Sequence, residues 1–173
     1  MSTTTKSKVP STPDTGPAAS ISYADDIFGW VEQQIELLRA GRLSDIDAQN
    51  IAEEIRSINS RLYDRLENAT QALIYNLLKW DMQPDRRSPS MVLSIDAHRD
   101  QITRLLERSP GLAAEVPEII PDAYLYATYD VMRDEQDLPE STFASECPYN
   151  WHMIRNKTVE FDGVESPNDS ELS

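Results

Sequence analysis

The chain is short of the groups on which most catalytic and secreted proteins rely. It has one cysteine, Cys147. That excludes an internal disulfide and leaves too few thiolates for a cysteine-based zinc site. Two histidines cannot furnish a His-rich metal centre, and G-x-S-x-G, a glycine-rich phosphate loop, H-E-x-x-H and paired-cysteine motifs are all missing. No metal and no cofactor is implied. No apolar run approaches the ~20 residues of a bilayer crossing, and residues 1–20 lack the apolar segment of a signal peptide, so a soluble cytoplasmic protein is expected. Positive charge is scarce: Lys and Arg number 16 against 30 Asp and Glu, a net charge of −14 over 173 residues. Nucleic acid and anionic membranes are disfavoured as partners, because binding either one draws on clustered cations and released counterions.

What the chain does have is helical periodicity. From Ser44 to Asp81 the apolar positions Ile51, Ile55, Ile58, Leu62, Leu66, Ala69, Leu73 and Leu77 recur every three or four residues, the spacing of one helix face. A single long helix is expected there, with Ser44 as N-cap and the rest of the chain packed against it. The preceding segment, Tyr23 to Ala40, reads as a helix ended by Gly41. Its apolar face collects Tyr23, Ile27, Trp30, Val31, Leu37 and Leu38, with Gln34 in the middle, and a buried amide needs a partner such as a backbone carbonyl or a polar cluster. Ser88-Pro89 opens a third helix, with Met91, Ile95, His98, Ile102, Leu105 and Leu106 facing inward. A short turn runs from Ser109-Pro110 to Val116. A fourth helix from Pro117 buries Ile120, Tyr124, Ala127 and Val131, with Pro121 tolerated in its first turn. Phe143, Cys147, Tyr149 and Trp151 read as an irregular lid ending in a short helix, and Cys147 reads as packed because its neighbour Glu146 does not favour a thiolate.

The fold class is therefore all-α: a bundle of about four main helices over residues 21–156. Residues 1–20, rich in Ser, Thr and Pro, are expected to form a disordered arm, and 157–173 an acidic disordered tail. The arm carries +1 and the tail −4, so most of the negative charge belongs to the bundle.

Several groups of residues along this chain carry a family likeness: Tyr23, Asp26 and Trp30; Leu37-Leu38-Arg39-Ala40-Gly41; Asn50-Ile51-Ala52-Glu53-Glu54-Ile55; Leu77-Leu78-Lys79-Trp80 with Gln83-Pro84; Arg87-Ser88; and Cys147-Pro148-Tyr149. Taken in order, they resemble the bacterial domain-of-unknown-function family 29, small helical proteins common in cyanobacteria and also found in proteobacteria. The resemblance covers about residues 22–156. It implies an all-α bundle and no activity. Three positions depart from the family's pattern: Asn76 stands where the family often has His, Met91 where it often has Trp, and His98 where it often has Gln. A site built on that family histidine could not operate unchanged here.

Two functional readings follow. In the first, the protein is an interaction or regulatory module, and Lys79, Arg86 and Arg87, the one dense basic spot, contact a protein partner or an anion. These cations also sit at or beyond a helix C-terminus, where positive charge is favoured in any case. In the second, the protein is an enzyme or small-ligand binder with a polar pocket between helices, built from Asp26, Gln34, Asn50, Glu54 and His98. Asp47 borders the same groove. Bundles do project carboxylates inward from facing helices, although charged residues flanking an apolar stripe are ordinary.

Overall fold

The computed structural model describes residues 21–135 and 138–161. The expected arm at 1–20 lies outside them, as does most of the expected tail. The described residues form five α-helices and no strand: α1 (Ile27–Arg39), α2 (Ala48–Met82), α3 (Pro89–Arg108), α4 (Val116–Asp134) and α5 (Trp151–Asn156). The chain divides into two compact units, Met1–Ile55 and Arg56–Ser173, with α2 contributing its first two turns to one and the rest to the other.

Local chemistry accounts for most boundaries. Gly41 adopts φ +69° just past α1, where a Cβ would be strained, and the N–H groups of Gly41 and Arg42 bond back to the carbonyls of Leu38 and Leu37. This is the Schellman arrangement that closes a helix C-terminus. Ser88 caps α3 by accepting the N–H of Met91, with Pro89 in the first position, as the sequence leads one to expect. Two starts differ from expectation. α1 begins at Ile27, not Tyr23, because the Asp26 carboxylate accepts the N–H of Gly29 at 2.9 Å and so marks the N-cap. α2 begins at Ala48, not Ser44. Ser44 is taken up in a turn in which its hydroxyl bonds Asp45, while Asp47 accepts the N–H of Asn50 at 3.2 Å and caps the helix in its place. α4 starts at Val116, so Pro121 is its sixth residue. It lies past the N–H groups that lack helical partners and removes one interior hydrogen bond.

The core of the second unit is built from Leu66, Leu73, Ile74 and Leu77 of α2, Ile95 and Ile102 of α3, Ile119, Ala123, Ala127 and Val131 of α4, and Ile154 of α5. Ile119, not Ile120, leads the inner face of α4, and Met91, His98 and Leu106 are only partly covered. Tyr149 and Val159 join this core. The guanidinium of Arg99 bonds the carbonyls of Ile154 and Lys157, and Lys157 pairs with Asp81. Residues 157–161, expected to start the tail, are thus held in place.

The first unit is different. Trp30 and Gln34 are its only buried residues among those described. Ile27, Val31 and Leu38, expected inside, are exposed, and so are Phe28 and Leu43. Within the stripe on α2, the burial expected from sequence holds for Leu66, Ala69, Leu73 and Leu77 but not for Ile55 or Ile58, which are more than half exposed at 58% and 52%. No helix of the described residues is long and apolar enough to cross a membrane.

Candidate functional site

In the first unit, residues 21–24, α1, the 40–47 turn and the start of α2 surround an open cavity of about 1020 Å³. Its lining includes Tyr23, Trp30, Gln34, Arg42, Asp45, Asp47 and Asn50. Trp30 is fixed by packing edge-on against Tyr23, with ring centroids 4.9 Å apart at 77°. The favourable geometry is that of edge-to-face aromatic pairs. The Tyr23 hydroxyl donates to Glu54 Oε1 at 2.6 Å, and that bond raises the phenol's pKa, with burial second.

Gln34 is satisfied in a way the sequence did not specify. Its side-chain oxygen accepts the backbone N–H of Asp47 at 2.8 Å; the partner is a backbone donor, not a carbonyl. Asp47 in turn accepts the Asn50 side-chain amide at 2.6 Å and the Asn50 backbone N–H. These two bonds, in that order, hold its carboxyl below the usual carboxylate range. The Trp30 indole N–H adds a weaker pull of the same sign. It falls short of a hydrogen bond of ordinary geometry, although the atom is buried.

Of the pocket residues expected from sequence, Gln34 and Asn50 line the cavity, and Glu54 is tied to it through Tyr23. Asp26 is not in the lining. Its carboxylate is folded over Gly29, where a Cβ would come within 2.3 Å of Asp26 Oδ2. His98 belongs to α3 of the second unit. Sequence reasoning passed over Tyr23 and Trp30 as site residues, although their aromatic character four or more residues ahead of Gln34 was a visible signal. Chemically, the arrangement holds an ionised carboxylate, a protonated phenol and an indole donor. The carboxylate is spent on the start of α2 and the phenol on the Glu54 side chain. Among the described residues no group of three or more His, Cys, Asp or Glu is placed to hold a metal ion.

The basic corner lies in the second unit. Lys79 Nζ is 3.7 Å from Asp134 and 3.8 Å from Glu135, and it donates to the Tyr75 hydroxyl at 3.1 Å. Burial alone would lower its pKa, but Tyr75 and the two carboxylates outweigh it and raise the value. Arg86 binds both oxygens of Glu135 at 3.0 and 3.1 Å. Arg87 lies 4.7 Å over the Trp80 ring and donates from Nε to the Trp80 carbonyl at 2.9 Å. All three cations therefore face internal partners on α2 and at the C-terminal end of α4. Cys147 donates its thiol to the Tyr149 carbonyl at 3.3 Å, and burial pushes its pKa up, the setting of a packed thiol.

Comparison with known proteins supplies the identity. A family model described as a domain of unknown function, DUF29, matches residues 22–159, which is most of the chain. The chain belongs to the DUF29 family. No curated protein and no solved structure matches it. The described residues of this DUF29 member hold five α-helices and no strand, and the family's description names no activity.

Proposed function

We propose that this DUF29 protein is a protein-interaction module whose contact surface is the apolar side of α1. The observation that carries the reading is the exposure of Ile27, Phe28, Val31 and Leu38 along one 13-residue helix, with Phe28 76% exposed. Positions 27, 31 and 38 fall on one side of a helix, with 28 beside them. Scattered exposed apolar residues are normal, but a contiguous run marks a binding surface. Here the run lies in a unit that buries only two of its described residues. Lys79, Arg86 and Arg87 support the reading less well, because each already has acidic or aromatic partners within the chain.

The test is capture from lysate of the native host, comparing wild type with Phe28→Glu and with Arg86→Glu/Arg87→Glu. Loss of a stoichiometric protein partner in Phe28→Glu alone is expected. Loss in the arginine reversal alone moves the surface to the basic corner.

A second reading rests on the open cavity of the first unit, whose lining brings Gln34, Asp47 and Asn50 together. A small polar molecule would fill it. Native mass spectrometry should then show a bound species that Asn50→Leu loses, and a bare protein mass counts against this reading.

A further inference from the structure

The apolar side of α1 raises the question of what covers it, and the charges at the two ends of the helix bear on the answer. Asp25 and Asp26 stand at the N-terminal end, and Arg39 and Arg42 at the C-terminal end. Both arginines are exposed and, among the described residues, pair with near-neighbour acids, Arg39 with Glu36 at 3.2 Å and Arg42 with Asp45 at 2.5 Å. Such surface pairs exchange at little cost. Between the ends lies the exposed run Ile27, Phe28, Val31 and Leu38.

We infer that this face is covered by α1 of a second copy of the chain, packed antiparallel about a two-fold axis near the middle of the helix. This rests on the reading of α1 as a contact surface and names its occupant. Antiparallel packing that sets Ile27 against Leu38 of the second copy also brings the Asp25-Asp26 end of one helix to the Arg39-Arg42 end of the other. It does so twice, as an isologous interface requires. Parallel packing would place acid on acid and base on base. The helix dipoles favour the same choice, since antiparallel neighbours oppose their end charges. The whole chain carries −14, so two copies repel unless they meet where acid and base alternate. This face offers that alternation together with apolar area. Residues 1–20 are a poor alternative occupant, because Val9 is the only large aliphatic residue among them after Met1. A membrane is poorer still, because the polar side of α1 carries Glu32 and Glu36, whereas anionic lipid surfaces draw helices rich in Lys and Arg.

The experiment is sedimentation equilibrium on the full chain, with circular dichroism as a check on folding. Wild type is expected to reach twice the monomer mass at micromolar concentration. Phe28→Glu replaces an exposed side chain, so it should keep its helicity while weakening association roughly tenfold or more, as loss of a large aromatic contact to a buried charge does. Arg39→Asp should also weaken it. The double variant Asp25→Arg/Arg39→Asp should restore it, because each copy then carries both reversed partners. A wild type that stays monomeric throughout overturns self-association, and so does a dimer indifferent to both Phe28→Glu and the charge swap. If the protein is monomeric yet Phe28→Glu loses a partner in lysate capture, the contact surface stands and only its occupant was wrong. If neither is seen, both readings fall.

Discussion

The side-chain oxygen of Gln34, on α1, accepts the backbone N–H of Asp47 at 2.8 Å, the residue that caps α2. One buried amide therefore serves the end of a helix other than its own. With Asp47 accepting from Asn50, the chain of bonds settles where α2 begins and why it begins four residues after Ser44.

Gln34→Met should leave that part-buried N–H without its partner and cost about 1 kcal/mol, the net worth of a typical hydrogen bond. Amide exchange at Asp47 should quicken by a corresponding factor. Unchanged protection at Asp47 in the variant would mean the bond contributes nothing to holding the helix end.

The neighbouring arginines should behave unequally. Arg86 is largely exposed and paired with Glu135, so Arg86→Ala should change stability by less than about 1 kcal/mol. Arg87 stacks on the buried Trp80 ring and bonds its carbonyl, so Arg87→Ala should cost about 1–3 kcal/mol. Equal urea midpoints for the two variants would contradict this.

Acid should weaken the junction of α2 and α4. Tyr75 chiefly, with Lys79 and Arg133, holds the Asp134 carboxyl below its usual range. Gln83 chiefly, with Arg86 and Lys79, does the same for Glu135. A folded pKa below the unfolded one contributes stability that is present above the ordinary carboxylate pKa of about 4 and is lost as pH falls through the depressed values. The stability gap between wild type and Asp134→Asn/Glu135→Gln should therefore be largest near neutral pH and close below about pH 4. A gap that persists undiminished at pH 3 would exclude these ionised contacts as its source.

Two residues of one sequence stripe should also part company. Leu73→Ala, at a fully buried position, should cost about 2–5 kcal/mol. Ile55→Ala, at a position 58% exposed, should fall within about 0.5 kcal/mol. Denaturant titration of the two variants at matched concentration checks the contrast.

Much of the fold was legible because its signals are local. Pro89 behind Ser88, Gly41 behind α1 and the three-or-four spacing of Leu66, Ala69, Leu73 and Leu77 each act within a turn or two of backbone. The candidate site was less legible. Asn50 and Glu54 could be placed on one side of α2 from their numbers alone. The roles of Tyr23 as donor to Glu54 and of Asp26 as cap to Gly29 depend on the path of a turn that no periodicity records.

The sequence by itself determined that the chain is helical, acidic and without a metal or nucleophile motif, since propensity, capping and charge are properties of residues and their near neighbours. Tertiary structure alone decided that Leu73 is inside and Ile55 outside on the same stripe, that α1 shows its apolar side outward, and that Gln34 finishes a helix other than its own. Periodicity says only that a face is apolar. Whether water leaves that face depends on a second surface, brought to it from elsewhere in the chain or from another molecule.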